Sequence, residues 1–585
     1  MGNIIVLGIN DGHNAGAALV KNGKVIAAIQ EERLRNIKNY SGVPSKAIKA
    51  VYRIANIHPD DTDVVSIVSL NRTYSPLKEF PLKVKLFYKL APYLDSHTFS
   101  KWYVKILHKF RKMEDVRKVL KEMRLDQKEL MFIEHHQCHA ACAHYSKPIS
   151  ANKGNRNKSN KTTSKNKPNL VLTSDGAGDG LSATVSIGHK NRIQRIAATT
   201  FYNSLGNVLY SEITGYMGLK RWEHEYKLMG MAPYGKAEYS IDNIRKIIRI
   251  NPQNPLEFQN RIGAIGPYIG QKLKHILHEH RFDNLSAATQ LHFERLVKQW
   301  VKNAVKKTGL NNIVCAGGMF LNVKANKILR EMPEVDNIFF YPAADDGGTP
   351  VGAALEAYHK YCRKRGIKAE HHEIKDVYYG CEYDNDYIKA VLQTTGLHKK
   401  EWIKKAKYID DIDAEVGELI AKNNIVARVS GRTEWGPRAL GNRSIIANPS
   451  DLRMIKDINF AIKKRDFWMP FAVSLIEKRM NKYLINPIPS RYMIDSFDTT
   501  DKRDEIVSGT HPFDNTARPH TVQEWNPSYL KVLEEFEKHT GISGVLNTSF
   551  NLHGYPLVDN PEVALFTFEN SGLKYLALGN WLIKK

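Results

Sequence analysis

Cysteine is scarce in this chain: only Cys138, Cys142, Cys315, Cys362 and Cys381 occur in 585 residues. An odd, small number without framework spacing excludes a disulfide scaffold and fits a reducing compartment. Long apolar runs are missing as well. No stretch approaches the ~18 uninterrupted apolar residues of a membrane-spanning helix. The opening MGNIIVLGIND has no basic leader and no small-residue cleavage site, so it reads as a strand rather than a signal peptide. Met1-Gly2 does not make a myristoylation signal, because Val6 stands where Ser or Thr is required. Together these absences predict a cytoplasmic protein. Acidic charge is also in deficit, with 61 Asp and Glu against 86 Lys and Arg, a net charge of +25. A basic excess invites a nucleic-acid reading. Here the excess is divided between one disordered-looking segment and lysines spread along helices, the pattern of a solvated face. Nucleic acid is therefore not expected as the main ligand. A positive surplus also suits phosphorylated small substrates.

What is present is a globular composition, 42% hydrophobic and 25% charged. That is ample for a large core and for more than one domain at ~100–200 residues each. Residues 4–29 read as three strands separated by tight turns, the second of them an Asn22-Gly23 hairpin signal. Residues 76–130 read as a Lys-rich, mostly helical insertion. Residues 147–168 carry almost no large apolar groups and read as a flexible basic loop. Leu170–Ser174 reads as a buried strand ending at Asp175. Apolar residues from Phe293 to Val305 recur at helical spacing, which predicts a helix over 290–308. Strand, Gly-Gly, helix then appears twice, at 313–320 and at 338–357. Strands alternating with helices predict an α/β fold. The polar stretch 361–410 reads as a linker, with a second α/β unit at 411–585.

Three clusters carry chemistry. In Glu134-His135-His136-Gln137-Cys138-His139, the residues His135 and His139 lie four apart. On a helix both imidazoles share one face, where two nitrogens can hold one metal ion. A polar helix with surface histidines is the plain alternative. Asp345 or Asp175, each at a predicted strand end, can supply oxygen; the set suits iron, zinc or manganese alike. The second cluster is glycine and aspartate at strand ends: Asp11-Gly12-His13, Asp175 to Gly180 with Gly176 and Gly178, Gly317-Gly318, and Asp345-Asp346-Gly347-Gly348. Glycine lets backbone N–H groups approach phosphate, so four such loops indicate a nucleotide cleft. His13 is a candidate general base for an acceptor hydroxyl. The third cluster is Gly431-Arg432-Thr433-Glu434-Trp435-Gly436-Pro437-Arg438 through Arg443-Ser444, followed by Lys463-Lys464-Arg465. Arginine forks bind phosphate and carboxylate oxygens in pairs. Arg518 and the stretch from Asn547 to Asn551 are further polar groups in the same half; the latter follows a short strand, Gly544–Leu546, and is placed to project into a pocket.

The stretches GINDGHNAGAAL, EERLRNIKNYSGVP, EHHQCHAACA, TSDGAGDG, YKLMGMAPYG, CAGGMFLN, GRTEWGPRALGNRSI, TARPHTV and NTSFN occur in this order across nearly the whole chain. They resemble the O-carbamoyltransferases of nodulation-factor and antibiotic biosynthesis, of the nodulation protein U and tobramycin and cephamycin carbamoyltransferase type. The resemblance implies a two-lobed N-terminal domain of the actin-like or sugar-kinase type over 1–360. It also implies a smaller C-terminal α/β domain similar to the threonylcarbamoyl-adenylate synthase fold. ATP and carbamoyl phosphate would give a carbamoyl adenylate, and a hydroxyl of a small-molecule acceptor would then take the carbamoyl group. By the same resemblance His135, His139 and Asp345 hold a divalent metal, iron (Fe2+), with Mg2+ accompanying ATP. Asp175 sits close by and, with His13, is implied to be catalytic. Gly176, Gly178, Gly317, Gly318, Asn322 and Asp346 line the first nucleotide site. Arg432, Arg438, Arg443, Lys463, Arg465, Arg518, Asn547 and Ser549 contact carbamoyl phosphate or the adenylate. A homodimer is compatible with this reading. Met469, Tyr555 and His520 depart from the Arg, Glu and Gln frequent in the family, and Arg465 or Lys464 would have to replace the missing arginine. A fused tRNA threonylcarbamoyl transferase and a non-catalytic nucleotide-binding scaffold are the competing readings.

Overall fold

The computed structural model describes residues 3–70, 114–148, 167–394 and 400–585, and the isolated positions 95, 98, 99, 102 and 105. Most of the expected insertion at 76–130 and of the basic loop at 147–168 lies outside the described residues. The chain forms two compact units. The first comprises Met1–Ile26, Ser41–Ile48 and Ala55–Ile374; the second comprises Ala27–Tyr40, Lys49–Ile54 and Lys375–Lys585.

The first unit contains two five-stranded sheets of the same topology. In one, β1 (Ile5–Asn10), β2 (Gly16–Lys21) and β3 (Lys24–Gln30) form a meander, and β4 (Val64–Val68) and β5 (Glu129–Ile133) follow, in the order β3-β2-β1-β4-β5. In the other, β6 (Asn169–Gly178), β7 (Leu181–His189) and β8 (Arg192–Thr200) form the meander. A small ribbon of β9 (Ile248–Ile250) and β10 (Phe258–Asn260) intervenes in sequence. Then β11 (Asn312–Ala316) and β12 (Asn337–Phe340) complete the order β12-β11-β6-β7-β8. In both sheets the first strand pairs antiparallel with the second and parallel with the fourth. The central strand β1 is buried throughout, as expected of a strand covered on both faces. Asn22 and Gly23 close the β2–β3 hairpin with φ of 50° and 79°, the left-handed pair that a type I′ turn requires.

A helix follows the fifth strand of each sheet: His135–Ser146 after β5 and Thr349–Lys364 after β12. The first packs on β6 and β11, the second on β1, β2 and β4, and the two helices pack on each other. Two glycines allow this. A Cβ on Gly352 would stand 1.9 Å from the Cys138 carbonyl oxygen, and one on Gly8 would stand 2.0 Å from the Pro350 carbonyl oxygen. The long helix Phe282–Thr308 starts earlier than the expected 290, and it buries Trp300, whose Nε1 donates to the Leu256 carbonyl at 2.7 Å. The strand expected to end at Asp175 instead runs on to Gly178, with an irregularity between Ser174 and Gly178.

The second unit is built on one eight-stranded mixed sheet: β13 (Lys407–Tyr408), β14 (Val426–Val429), β15 (Arg443–Ala447), β16 (Ala472–Ile476), β17 (Pro519–Val522), β18 (Gly544–Ser549), β19 (Tyr575–Leu578) and β20 (Trp581–Lys584). Their order is β13-β20-β19-β14-β15-β18-β16-β17. Successive residues alternate faces. Ala427, Ile445, Leu546 and Leu576 join one apolar core, and Val426, Ile446, Val545 and Ala577 join the other. The expected linker at 361–410 is not one. Residues 361–364 finish a helix, and Ile388, Val391, Leu392 and Ile403 enter the core of the second unit. The segment looked like a linker because only one face of its helix, Asn385–Thr394, is apolar.

The helix contact at Gly352 sets a stability test. Gly352→Ala should destabilise the protein by about 1–3 kcal/mol through overpacking. Urea or thermal unfolding followed by circular dichroism checks this, with Ala353→Gly as a neighbouring comparison.

Candidate functional site

The helix His135–Ser146 is started by Glu134, whose carboxylate accepts the backbone N–H groups of His136 and Gln137, each at 3.0 Å, and pairs with Arg195. Asp179 Oδ2 accepts the His135 N–H at 2.9 Å and also that of Leu70. The start of this helix is thus fixed by two carboxylates, which suits its positive end. The i, i+4 spacing then puts His135 and His139 side by side, with their Nε2 atoms 3.1 Å apart. His136 points elsewhere: its Nδ1 meets Thr173 Oγ1 at 2.9 Å, and burial pushes its pKa down to about 3, so it is a neutral packing residue.

Two carboxylates close the group. Asp175 Oδ2 lies 3.4 Å from His135 Nε2 and 3.9 Å from His139 Nε2. Asp346 Oδ1 lies 3.4 Å and 3.5 Å from the same two atoms. The four donor atoms fall within 4.8 Å of one another, the one such group among the described residues. Two ligands each about 2.1 Å from one ion stand no more than about 4.2 Å apart, and every His–His and His–Asp separation satisfies this. Burial disfavours charge on His135, yet Asp346 and Asp175 outweigh it and hold the imidazole well above its usual range. Burial likewise opposes ionisation of Asp346, but His135 and His139 hold its carboxyl well below the usual carboxylate range. A buried group that favours positive charge among carboxylates and imidazoles fits a cation, and two N and two O donors suit a transition metal.

The expected third ligand, Asp345, is not in this group. Its Oδ1 accepts the Gly347 N–H at 3.1 Å and caps the turn that follows, and its Oδ2 takes Asn14 Nδ2 at 3.4 Å. Asp346, expected at a nucleotide, takes the place beside the histidines. Adjacent aspartates in a turn face opposite ways, and sequence alone does not say which one faces in.

The glycines serve the same group. A Cβ on Gly178 would lie 2.1 Å from the His135 ring, so only glycine lets the imidazole lie on the strand. Gly317 has φ 108°, and its N–H is spent on the Ala344 carbonyl at 2.7 Å; the Gly318 N–H is spent on Asp175 Oδ1 at 3.0 Å. These two amides were expected at a phosphate and instead brace the cluster. Asn322, also expected at the nucleotide, has a structural part here. It caps the helix Val323–Arg330 and exchanges two hydrogen bonds with Gln290, at 3.0 and 3.1 Å. His13 is half-buried in the turn after β1. Asn10 Nδ2 ties the backbone carbonyl of His13, at 2.7 Å, to that of Asp346, at 3.2 Å. Asp11, in the same turn, is buried with its Oδ2 unpaired.

In the second unit the arginine-rich loop folds around a buried carboxylate. Glu434 Oε1 accepts the N–H groups of Leu440, Asn442 and Arg443 at 2.9, 2.8 and 3.1 Å. Arg443 is fully buried and donates to the carbonyls of Asp559, Ser430, Gly431, Asn442 and Cys381. Arg432 donates to the carbonyls of Gly380 and Tyr379. Both were expected to bind substrate; in this structure both donate to backbone carbonyls and so help to hold the loop.

The other expected cations do gather. Lys463 is buried and donates to Ser549 Oγ at 3.0 Å and Asn551 Oδ1 at 2.7 Å. Arg465 reaches Thr548 Oγ1 at 2.9 Å. Burial, with Arg465 and Lys38 nearby, holds the Lys463 ammonium well below the usual lysine range. Burial, with Arg438 and Arg465 nearby, acts the same way on Arg518. A guanidinium keeps its proton, so this concentration of positive charge calls for an anion. Asn547 lies within β18, not after it; its Nδ2 donates to Ser474 Oγ at 2.9 Å while its Oδ1 is buried and unpaired. His520 beside it is buried, its pKa pushed down to about 3, and is neutral.

Fold and site together define a mixed α/β protein with a group of donor atoms that could hold a metal ion in one unit and a cluster of cationic side chains in the other. The family model described as carbamoyltransferase N-terminus matches residues 5–355, and carbamoyltransferase C-terminus matches residues 417–585. The chain belongs to the carbamoyltransferase family and is a carbamoyltransferase enzyme, which sets aside the non-catalytic scaffold reading. Relatives include an uncharacterized protein of Methanocaldococcus jannaschii, 29% identical over 99% of this chain and 100% of that one. Nodulation protein NolNO of Sinorhizobium fredii is 29% identical over 98% of this chain and 79% of its own length, and nodulation protein U of the same organism is 30% identical over 46% of each chain. Likeness to solved structures is low: HypF of T. kodakarensis reaches a TM-score of 0.36 at 12% identity over 62% of this chain and 48% of that one. No helix among the described residues is long and apolar enough to cross a membrane.

The metal group gives a direct test. Asp346→Asn and His139→Ala should lose bound Fe2+ or Co2+, whereas Asp345→Asn should keep it, since asparagine can still cap the turn. Atomic absorption after desalting reads the difference. Equal loss in Asp345→Asn would restore that residue as a ligand.

Proposed function

We propose that this carbamoyltransferase uses ATP and carbamoyl phosphate to make a carbamoyl adenylate, and that it transfers the carbamoyl group to a hydroxyl of a small molecule. The observation that carries this reading is the cation group of the second unit, where the charges acting on Arg518 are those of Arg438 and Arg465. Polyphosphate oxygens would relieve that repulsion, and bidentate arginine contacts suit them. Lys463, whose ammonium donates to Ser549 and Asn551, adds its charge beside Arg465 in the same group.

In the first step carbamoyl phosphate loses its phosphate to water, leaving carbamate. A carbamate oxygen attacks the α-phosphorus of ATP, the bond to the β-phosphate oxygen breaks, and pyrophosphate leaves. Arg438, Arg465, Arg518 and Lys463 orient the phosphates and offset the charge that develops on them. In the second step the acceptor oxygen attacks the carbonyl carbon, the bond to the AMP oxygen breaks, and AMP leaves with its electron pair. His13, in the turn tied to Asp346 through Asn10, receives the hydroxyl proton. His135, His139, Asp175 and Asp346 would hold a metal ion, iron by the family resemblance. Such an ion supplies Lewis-acid stabilisation of developing oxyanion charge. The repeated sheet topology of the first unit, with a helix after each fifth strand, supports an actin-like reading of that unit.

Pyrophosphate release from ATP without acceptor should require carbamoyl phosphate. Arg518→Met should abolish that release, while His139→Ala should spare it and stop transfer. Release by the wild type that is independent of carbamoyl phosphate would refute the donor assignment. Equal loss of release in Arg518→Met and His139→Ala would refute the division of labour.

A further inference from the structure

Trp222 lies in the first unit and is 47% exposed, yet it is held at several points. Its φ is 62°, a left-handed conformation that costs a bulky residue about 1–3 kcal/mol and persists only where its surroundings impose it. They do so here. The Trp222 backbone N–H donates to Glu225 Oε1 at 2.6 Å and to Ser211 Oγ at 3.3 Å, and Ser211 Oγ itself donates to Glu225 Oε1 at 2.6 Å. The indole Nε1 donates to Asn207 Oδ1 at 3.1 Å, which fixes the direction of the ring. Asn207 and Ser211 both belong to the π-helix Leu205–Ser211, a rare conformation found frequently at functional sites.

The other end of this arrangement is the metal group. Asn207 Nδ2 donates to the Gly176 carbonyl at 3.0 Å, and Ser204 Oγ donates to the same oxygen at 2.7 Å. A Cβ on Gly176 would lie 2.9 Å from Asn207 Oδ1, so glycine is what lets the amide come this close. Gly176 follows Asp175, whose Oδ2 lies 3.4 Å from His135 Nε2. The exposed indole is therefore two hydrogen bonds from the residue next to a member of the metal group. A tryptophan needed only for packing would be buried, and an idle surface tryptophan would not be strained and pinned by three hydrogen bonds.

We propose that Trp222 is a specificity-determining residue of the transfer reaction. Its indole face receives the acceptor by stacking on the C–H face of a saturated, hydroxylated ring, and so presents a ring hydroxyl to the metal group. This rests on the carbamoyl-transfer reading of that group. The neighbouring charges favour a neutral partner over a nucleotide: Lys220 is paired with Glu223, and Arg221 with Glu212 at 3.0 Å. The indole offers a broad apolar surface to such a ring and keeps its one N–H for Asn207.

The test is binding of methyl β-D-glucopyranoside and methyl β-D-galactopyranoside to the full chain, read by intrinsic fluorescence and by saturation-transfer NMR. The wild type should bind at least one of them saturably, Trp222→Ala should weaken that binding about tenfold or more, and Trp222→Phe should retain most of it. Metal content and unfolding midpoint are measured in each variant. Absence of saturable binding by the wild type overturns the proposal. So does unchanged binding in Trp222→Ala, or a loss that is accompanied by loss of the metal, which is the mark of a merely structural role. Carbamoyl-phosphate-dependent pyrophosphate release by the wild type reports separately on the adenylate, so failure there and failure of ring binding are told apart.

Discussion

The close approach of two helices governs the first unit. Gly352 lets the helix Thr349–Lys364 press against the Cys138 carbonyl in the helix His135–Ser146, and a single added carbon would occupy the space of that oxygen. Each helix follows the fifth strand of its own sheet. Packing them together therefore brings the ends of β5 and β12 into register, and with them His135, His139 and Asp346. Asp175 comes in from β6 at the same level. The chemistry of the group follows from this meeting of segments more than 200 residues apart.

Buried charge is handled differently in the two units. In the first, His135 and Asp346 face one another, so each stabilises the ionised form of the other despite burial. In the second, Arg443 and Arg432 donate to backbone carbonyls, whereas Arg518 lies beside Arg438 and Arg465, and Lys463 lies beside Arg465. Residues of the same type, close in sequence, thus do opposite work. Those among carbonyls build the loop, and those beside other cations concentrate positive charge. Such stored repulsion is common where proteins bind charged ligands, because the ligand supplies what the fold withholds.

Much of the fold was legible in the chain. The three opening strands and the Asn22-Gly23 turn are local features, set by alternation and by the left-handed turn that asparagine and glycine accept. The helix carrying His135 and His139 was legible too, since spacing of four on a helix fixes a shared face. The linker reading of 361–410 failed because Ile388, Val391 and Leu392 occupy one face of an otherwise polar helix, and burial of such a face depends on a sheet distant in sequence. The contacts of Gly317 and Gly318 were not legible for a related reason: a glycine that permits close approach does not say what approaches, and in this structure it is Ser174 and Asp175.

By itself, the sequence determined the α/β class, the paired imidazoles, and the concentration of arginine in the second half. These depend on periodicity and residue type over a few neighbouring positions. Only the tertiary structure decided that Asp346 rather than Asp345 joins the histidines, that Arg443 and Arg432 are structural, and that Trp222 is strained and anchored toward Gly176. Each of those outcomes depends on which way a side chain points within a turn or loop. That direction is set by partners brought in from remote parts of the chain.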